Sequence, residues 1–198
     1  MKQAKPNSIL MFLQSHPTLC SRCRETFHPH FQRWKIEGAR ALSLYEYGNG
    51  LRTAIYQFKG CGDYELRTIF VENVRFWIKK RFSDYIVVPA PSYPEHDLAR
   101  GFNHVCAIFE CLELPLVKAI VKTKNVKQSD LSKNDRAKIS RALALPNPRL
   151  VKGKKVLFVD DVYTTGSTAK ACVRLLQKAG ASKIQVLVIA KTPKKEQI

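Results

Sequence analysis

The chain has 198 residues, 45% of them hydrophobic, enough for one substantial core with a small appendage and too few for two full domains. Lys and Arg number 34 against 16 Asp and Glu, a net charge of +18 that favours a polyanionic partner. No apolar run reaches the ~18 residues of a membrane span, Ser8 to Leu13 is too short for a signal-peptide core, and the six cysteines are scattered through α/β patterning; this reads as a cytoplasmic protein with thiols or metal ligands, without membrane insertion or a disulfide framework.

In chain order, residues 1–38 read as an irregular N-terminal segment carrying Cys20, Cys23, His28 and His30, and residues 39–198 as the main domain. Ala39 to Tyr47 alternates like a strand, and Gly48-Asn49-Gly50 supplies a turn. Leu51 to Lys59 has apolar residues at helical spacing, ended by Gly60 and Gly62, and Tyr64 to Phe82 reads as a second amphipathic helix. Asp84 to Pro89 is the next strand, followed by a Pro-rich loop and a helix over Phe102 to Leu112. Leu116 to Val121 is a further strand candidate, and Lys124 to Asp135 reads as a polar, mobile connection. Val156 to Val159 and Ile184 to Ile189 are buried strands on either side of a helix over Thr168 to Ala179. Alternating strands and helices of this size imply a twisted, mostly parallel sheet flanked by helices.

The most telling run is Val156 to Thr168, VLFVDDVYTTGST. Its four leading apolar residues predict a strand buried on both faces, with Asp160 and Asp161 at the carboxyl end, where open α/β sheets hold ligands. Thr164, Thr165, Gly166, Ser167 and Thr168 then lead into a helix. Free N–H groups, hydroxyl donors and the positive end of the helix dipole suit a phosphate, and Gly166 permits close backbone approach. The two carboxylates can accept hydrogen bonds from neighbouring ribose hydroxyls or help hold hydrated Mg²⁺. A Walker B strand would need G-x-x-x-x-G-K-[ST], which is absent from the sequence, and a plain helix cap needs one hydroxyl rather than a run of them.

This segment resembles the signature of type I phosphoribosyltransferases, which bind phosphoribosyl pyrophosphate (PRPP). Val87 to His104, VVPAPSYPEHDLARGFNH, resembles the V-P-x-P segment and R-G-F-N-[QH] element of the ComF family, and Gln128 to Arg136, QSDLSKNDR, resembles its Q-x-x-L-x-x-x-x-R stretch. Cys20-x-x-Cys23 looks like half of that family's zinc finger. The resemblance implies a type I phosphoribosyltransferase-like α/β fold with a short, partial zinc-finger-like N-terminal segment. It implies that Asp160 and Asp161 hold the ribose and Mg²⁺, that Thr164 to Thr168 hold the 5-phosphate, and that Ala90, Pro91, Ser92, Arg100 and Asn103 form the pyrophosphate loop. Lys124, Lys127, Gln128, Lys133 and Arg136 would then belong to a hood over the substrate, or to a DNA-contacting surface. Glu95 and Asp97 stand where the family usually carries basic residues. No catalytic residue or acceptor pocket is assigned.

The function implied is that of a late competence protein acting in DNA uptake during natural transformation. Its expected partners are PRPP or another phosphorylated ribose, single-stranded DNA, a competence helicase and other competence proteins. Between Leu114 and Val159 twelve Lys or Arg face two acids, Asp130 and Asp135, which fits contact with nucleic acid. Two alternatives stay open: a PRPP-dependent phosphoribosyltransferase of nucleotide metabolism, and a regulatory sensor that binds PRPP without turnover.

A structural Zn²⁺ takes four N or S ligands, of which Cys20 and Cys23 supply two. The family's second C-x-x-C lies upstream, so three readings stand: Met1 is a misplaced start, the metal has been lost, or His28 and His30 substitute. A misplaced start predicts another C-x-x-C in frame just upstream. Cys61, Cys106, Cys111 and Cys172 read as core or surface thiols.

Overall fold

Val156, Leu157, Phe158 and Val159 are fully buried, as four consecutive apolar residues demand of a strand covered on both faces. In the computed structural model, which describes residues 27–123 and 142–193, they belong to strand β6 (Lys155–Tyr163). Parallel to it run β3 (Ile86–Pro89) on one side and β7 (Lys183–Lys191) on the other, and β7 pairs in parallel with β2 (Ala39–Glu46). β1 (Gln32–Ile36) closes the far edge as an antiparallel hairpin partner of β2, giving the order β1-β2-β7-β6-β3. The short β4 (Val121–Lys122) and β5 (Leu143–Ala144) pair separately. The mostly parallel sheet expected from the alternation is thus present, with one antiparallel edge.

The described residues include five helices: α1 (Asn49–Gly60), α2 (Arg75–Arg81), α3 (Pro94–Arg100), α4 (His104–Glu110) and α5 (Ser167–Lys178). Alternate residues of each strand feed opposite cores. Val87, Leu157, Val159, Leu187 and Ile189 meet Leu51 and Phe58 of α1, Ile78 of α2 and Ile108 and Phe109 of α4. Val88, Val156, Phe158, Val186 and Val188 meet Cys172, Val173 and Leu176 of α5. Each fully buried Leu, Ile, Val or Phe removed from water this way contributes about 1.5–3 kcal/mol. Burial pushes the Cys106 thiol up to about 11, in keeping with a core thiol, and Cys61, Cys106, Cys111 and Cys172 are all free. No helix among the described residues is long and apolar enough to cross a membrane.

Several elements depart from the expectations above. Residues 32–36 are not irregular: QRWKI alternates, with Trp34 and Ile36 turned inward and Arg33 and Lys35 outward, and it forms the edge strand. Asn49 and Gly50 form the first turn of α1 rather than a separate turn. Tyr64 to Phe82 is not one helix. Ile69, Phe70 and Val71 are consecutively buried, which a single helical stripe cannot achieve, so the chain passes through two short 3₁₀ turns before α2. The Pro-rich loop contains α3, which has Pro94 at its start, Glu95 and Asp97 in its first turn and Gly101 at its end in the left-handed region (φ 86°). The strand candidate at Leu116 to Val121 is reduced to one bridge from Leu116 to Val87 plus β4. Cys20, Cys23 and Lys124 to Arg136 lie outside the described residues.

Candidate functional site

β3 ends early. Its last paired residue, Pro89, is opposite Val159, so Asp160 to Tyr163 run on past β3 with β7 alone beside them. The Ala90 N–H still donates to the Val159 carbonyl at 2.8 Å, but Pro91 has no N–H to extend the ladder. Where β3 is missing, a cavity of about 500 Å³ opens at the carboxyl ends of the strands. Its walls include Ala90, Pro91 and Ser92 from the loop after β3, Lys59 at the end of α1, Arg100, His104, Lys122, Asp160, Asp161, Thr164 and Thr168. This volume is within the range of small-molecule sites.

The two aspartates are held by their own backbone. Asp160 Oδ1 accepts from the Asp161 N–H at 2.9 Å, and Asp161 Oδ1 accepts from the Val162 N–H at 2.7 Å. The ladder to β7 skips a residue here, from Asp160↔Val188 to Val162↔Ala190. One oxygen of each carboxylate therefore serves the strand. The second oxygen of Asp161 meets Lys59 Nζ at 2.8 Å and His104 Nε2 at 3.4 Å. Arg100 Nη1 lies 3.1 Å from His104 Nδ1. A guanidinium can only donate, so Nδ1 accepts and the proton sits on Nε2, directed at Asp161.

Electrostatics separate the pair. Burial opposes ionisation of Asp161, but the His104 hydrogen bond and the Lys59 charge outweigh it and hold this carboxyl well below the usual carboxylate range. Asp160, half-buried, is pushed well above that range by partial desolvation and by its ionised neighbour. Two adjacent carboxylates with such different environments can play different roles. Burial also lowers the Lys122 ammonium, which lies 4.1 Å from the centre of the Tyr93 ring.

Beyond Asp160 the chain turns through the hydroxyl-rich loop into α5. Gly166 precedes the helix with φ 74° and brings no capping side chain of its own, and the Ser167 N–H donates to Thr165 Oγ1 at 3.4 Å. Thr165 Oγ1 and Ser167 Oγ are 3.0 Å apart, and a small space of about 50 Å³ is lined by Asp160 and residues 162–169. That space shares Asp160, Val162, Thr164 and Thr168 with the larger cavity. A Cβ at Gly166 would come within 2.1 Å of Tyr163 Oη, so glycine is needed for contact as well as for conformation.

The expected ribose pair, the phosphate loop and Ala90, Pro91, Ser92 and Arg100 thus converge on one region. Arg100 also donates from Nε to the Lys59 carbonyl at 2.8 Å and lies 3.5 Å from Asp97. Asn103 is placed differently: its Oδ1 caps α4 through the Cys106 N–H, and its Nδ2 donates to Asp97 at 2.8 Å. It lines a neighbouring cavity of about 160 Å³ with Pro91 and Ser92. Asp97, the acid out of keeping with a basic loop, accepts from Ser92 and Asn103 and so ties that loop to α4. Lys59, His104 and Lys122 join the site without having been singled out by the sequence. His104 closes the RGFNH run and was legible there; Lys59 and Lys122 carry no local signal. His28 and His30 are exposed, and no cluster of three or more metal-ligating side chains occurs among the described residues.

A model of the phosphoribosyl transferase domain matches residues 97–197. Competence protein ComFC of Bacillus subtilis is 28% identical over 153 residues, an alignment spanning 76% of this chain but 63% of that protein. Competence protein ComFC of Streptococcus pneumoniae is 25% identical over 211 residues, covering 93% of each chain. Among solved structures, adenine phosphoribosyltransferase from Saccharomyces cerevisiae aligns with a TM-score of 0.46 at 14% identity, covering 86% of this chain and 88% of that one.

Proposed function

Because the chain belongs to the phosphoribosyl transferase domain family, we propose that it is a competence protein whose cavity binds PRPP or another phosphorylated ribose. The observation that carries this reading is the convergence of Asp160 and Asp161 with the hydroxyl-rich, glycine-opened start of α5 on adjoining cavities. Asp161, kept ionised by Lys59 and His104, accepts from a ribose hydroxyl, and the free oxygen of Asp160 serves its neighbour. The 5-phosphate takes the N–H and hydroxyl donors of Thr164 to Thr168. Lys59, Arg100 and Lys122 supply the cations for the pyrophosphate.

Mg²⁺ fits this donor set, because it is commonly held by one or two carboxylates together with substrate phosphates, and here it would neutralise charge on the pyrophosphate. Transfer, if the chain performs it, breaks the bond from C1 to the pyrophosphate oxygen and forms one to an acceptor. The residues contribute positioning and charge stabilisation, the modes already supplied by the aspartates and the helix start.

Thermal denaturation with PRPP and Mg²⁺ tests the reading. At a hundredfold excess over Kd the ligand adds about 2.7 kcal/mol, a Tm rise of roughly 5–10 °C for a chain of this size. Asp160→Asn with Asp161→Asn should abolish that rise while keeping the oxygens that accept from the backbone. A folded wild type with no shift at millimolar ligand refutes it. Turnover of bound PRPP with a base or amine would identify a transferase, and binding without turnover a sensor.

The basic excess supports the second half of the proposal, that the protein contacts single-stranded DNA and works with a competence helicase and other competence proteins. Binding to oligo(dT) should weaken steeply as salt rises, and charge reversal at Lys124, Lys127 and Lys133 should flatten the slope by about 0.7 for each phosphate no longer neutralised. A flat slope in the unmodified protein counts against direct DNA binding.

A further inference from the structure

At the other end of the sheet, the outward residues of the β1–β2 hairpin face helix α2 across a groove of about 370 Å³. The strand register places Arg33 opposite Leu42 and Lys35 opposite Arg40, so three cations and one apolar floor residue share this face. The register also pairs Arg40 with Gln185 near the start of β7, so the groove lies at the amino ends of the parallel strands, away from the ribose cavity. Helix α2 supplies the opposite wall with Trp77 and Arg81, and Phe82 follows it. The Arg81 guanidinium lies 5.6 Å from the Trp77 ring centre, and Phe31 stacks on Trp77 at 5.1 Å with 29° between planes.

Charge identifies the occupant. Four cations line the groove and no acid does, and none of the four pairs with a described Asp or Glu. The site wants a polyanion, and the aromatic wall wants a flat ring. A single-stranded nucleic acid supplies both, since each unpaired base has a π face and each linkage a phosphate. A duplex keeps its base faces stacked, and an acidic peptide lacks the regular alternation of flat ring and charge.

We propose that the groove between the β1–β2 hairpin and α2 is a seat for single-stranded nucleic acid, with a base stacking against Trp77, itself backed by Phe31, and Arg33, Lys35, Arg40 and Arg81 holding the flanking phosphates. It rests on the single-strand half of the proposed function and assigns it a surface built from described residues. Because groove and cavity occupy opposite ends of the strands, groove variants leave the PRPP thermal shift intact.

The test uses the full chain and fluorescein-labelled oligo(dT), read by anisotropy over a salt series. Arg33→Glu with Arg40→Glu should lower affinity at least tenfold and flatten the log-log salt slope by about 1.4, two phosphates at about 0.7 each. Arg52→Glu with Lys178→Glu, exposed residues outside the groove, makes the same change in net charge and should alter affinity less than twofold. The chain has two tryptophans, so Trp34→Phe leaves Trp77 as the sole tryptophan, and oligo(dT) should quench its emission when indole is excited selectively. Normal affinity in the Arg33/Arg40 variant, or equal loss in the control, overturns the groove alone. Reduced affinity without quenching also overturns it, because it marks binding through phosphate only. A wild type that does not bind oligo(dT) overturns the groove together with the single-strand reading.

Discussion

Asp160 and Asp161 are adjacent in the chain and opposite in their effect on stability. Asp161 has a depressed folded pKa, so its contribution is present above the unfolded value of about 3.9 and is lost as pH falls through the lower folded value. Asp160 has a raised folded pKa, so its contribution is present below about pH 3.9 and is lost as pH rises through the higher folded value. At neutral pH ionised Asp160 therefore costs stability. Asp160→Asn keeps the oxygen that accepts from the Asp161 N–H and removes the charge held beside Asp161. Its Tm in the absence of ligand should exceed that of the wild type, by a margin that grows as pH rises above about 4. Differential scanning calorimetry across that range checks the sign, and a variant less stable than wild type at pH 7 would refute the account.

The turn between β6 and α5 depends on one backbone conformation. Gly166→Ala puts an L side chain at φ 74°, costing about 1–2 kcal/mol, and forces the Tyr163 ring away from its edge-on contact with Trp34. Chemical denaturation should show at least that loss, and PRPP affinity should fall further because the ring moves beside the phosphate loop. A variant with wild-type stability and affinity would mean the turn relaxes freely. This turn was legible in the sequence: a buried apolar run, two acids, hydroxyls about a glycine, then helical spacing. The helix at Pro94 was equally legible through its Pro, acids and Gly, but the density of prolines masked it. Lys59 could not be read, because its partner Asp161 is 102 positions away and only the packing of α1 over the sheet joins them. Trp77 and Arg33 likewise meet across the fold, and no local pattern announces their groove.

For the molecule as a whole, a charge of +18 in a folded chain of this size is a standing repulsion, because 34 Lys and Arg outnumber 16 Asp and Glu and no pairing within the chain can neutralise the excess. Raising the ionic strength from about 0.01 M to about 0.15 M shortens the Debye length from roughly 30 Å to roughly 8 Å, so Tm should rise over that interval. A fall would mean that attractive pairs dominate. The cavity answers to a different property of the architecture. β3 has four residues and β6 has nine, so the opening beside the aspartates is a missing tooth in the sheet, framed by Pro89 and Pro91 before any guest arrives. No strand has to part for the proposed ribose to reach Asp161. What has to shift there is the Lys59 ammonium, whose side chain is 43% exposed and able to turn from Asp161 toward the pyrophosphate proposed for this cavity. Admission to the ribose end is then set by a side-chain rotation of the nanosecond kind, with the slow rearrangement of whole elements left out of that step.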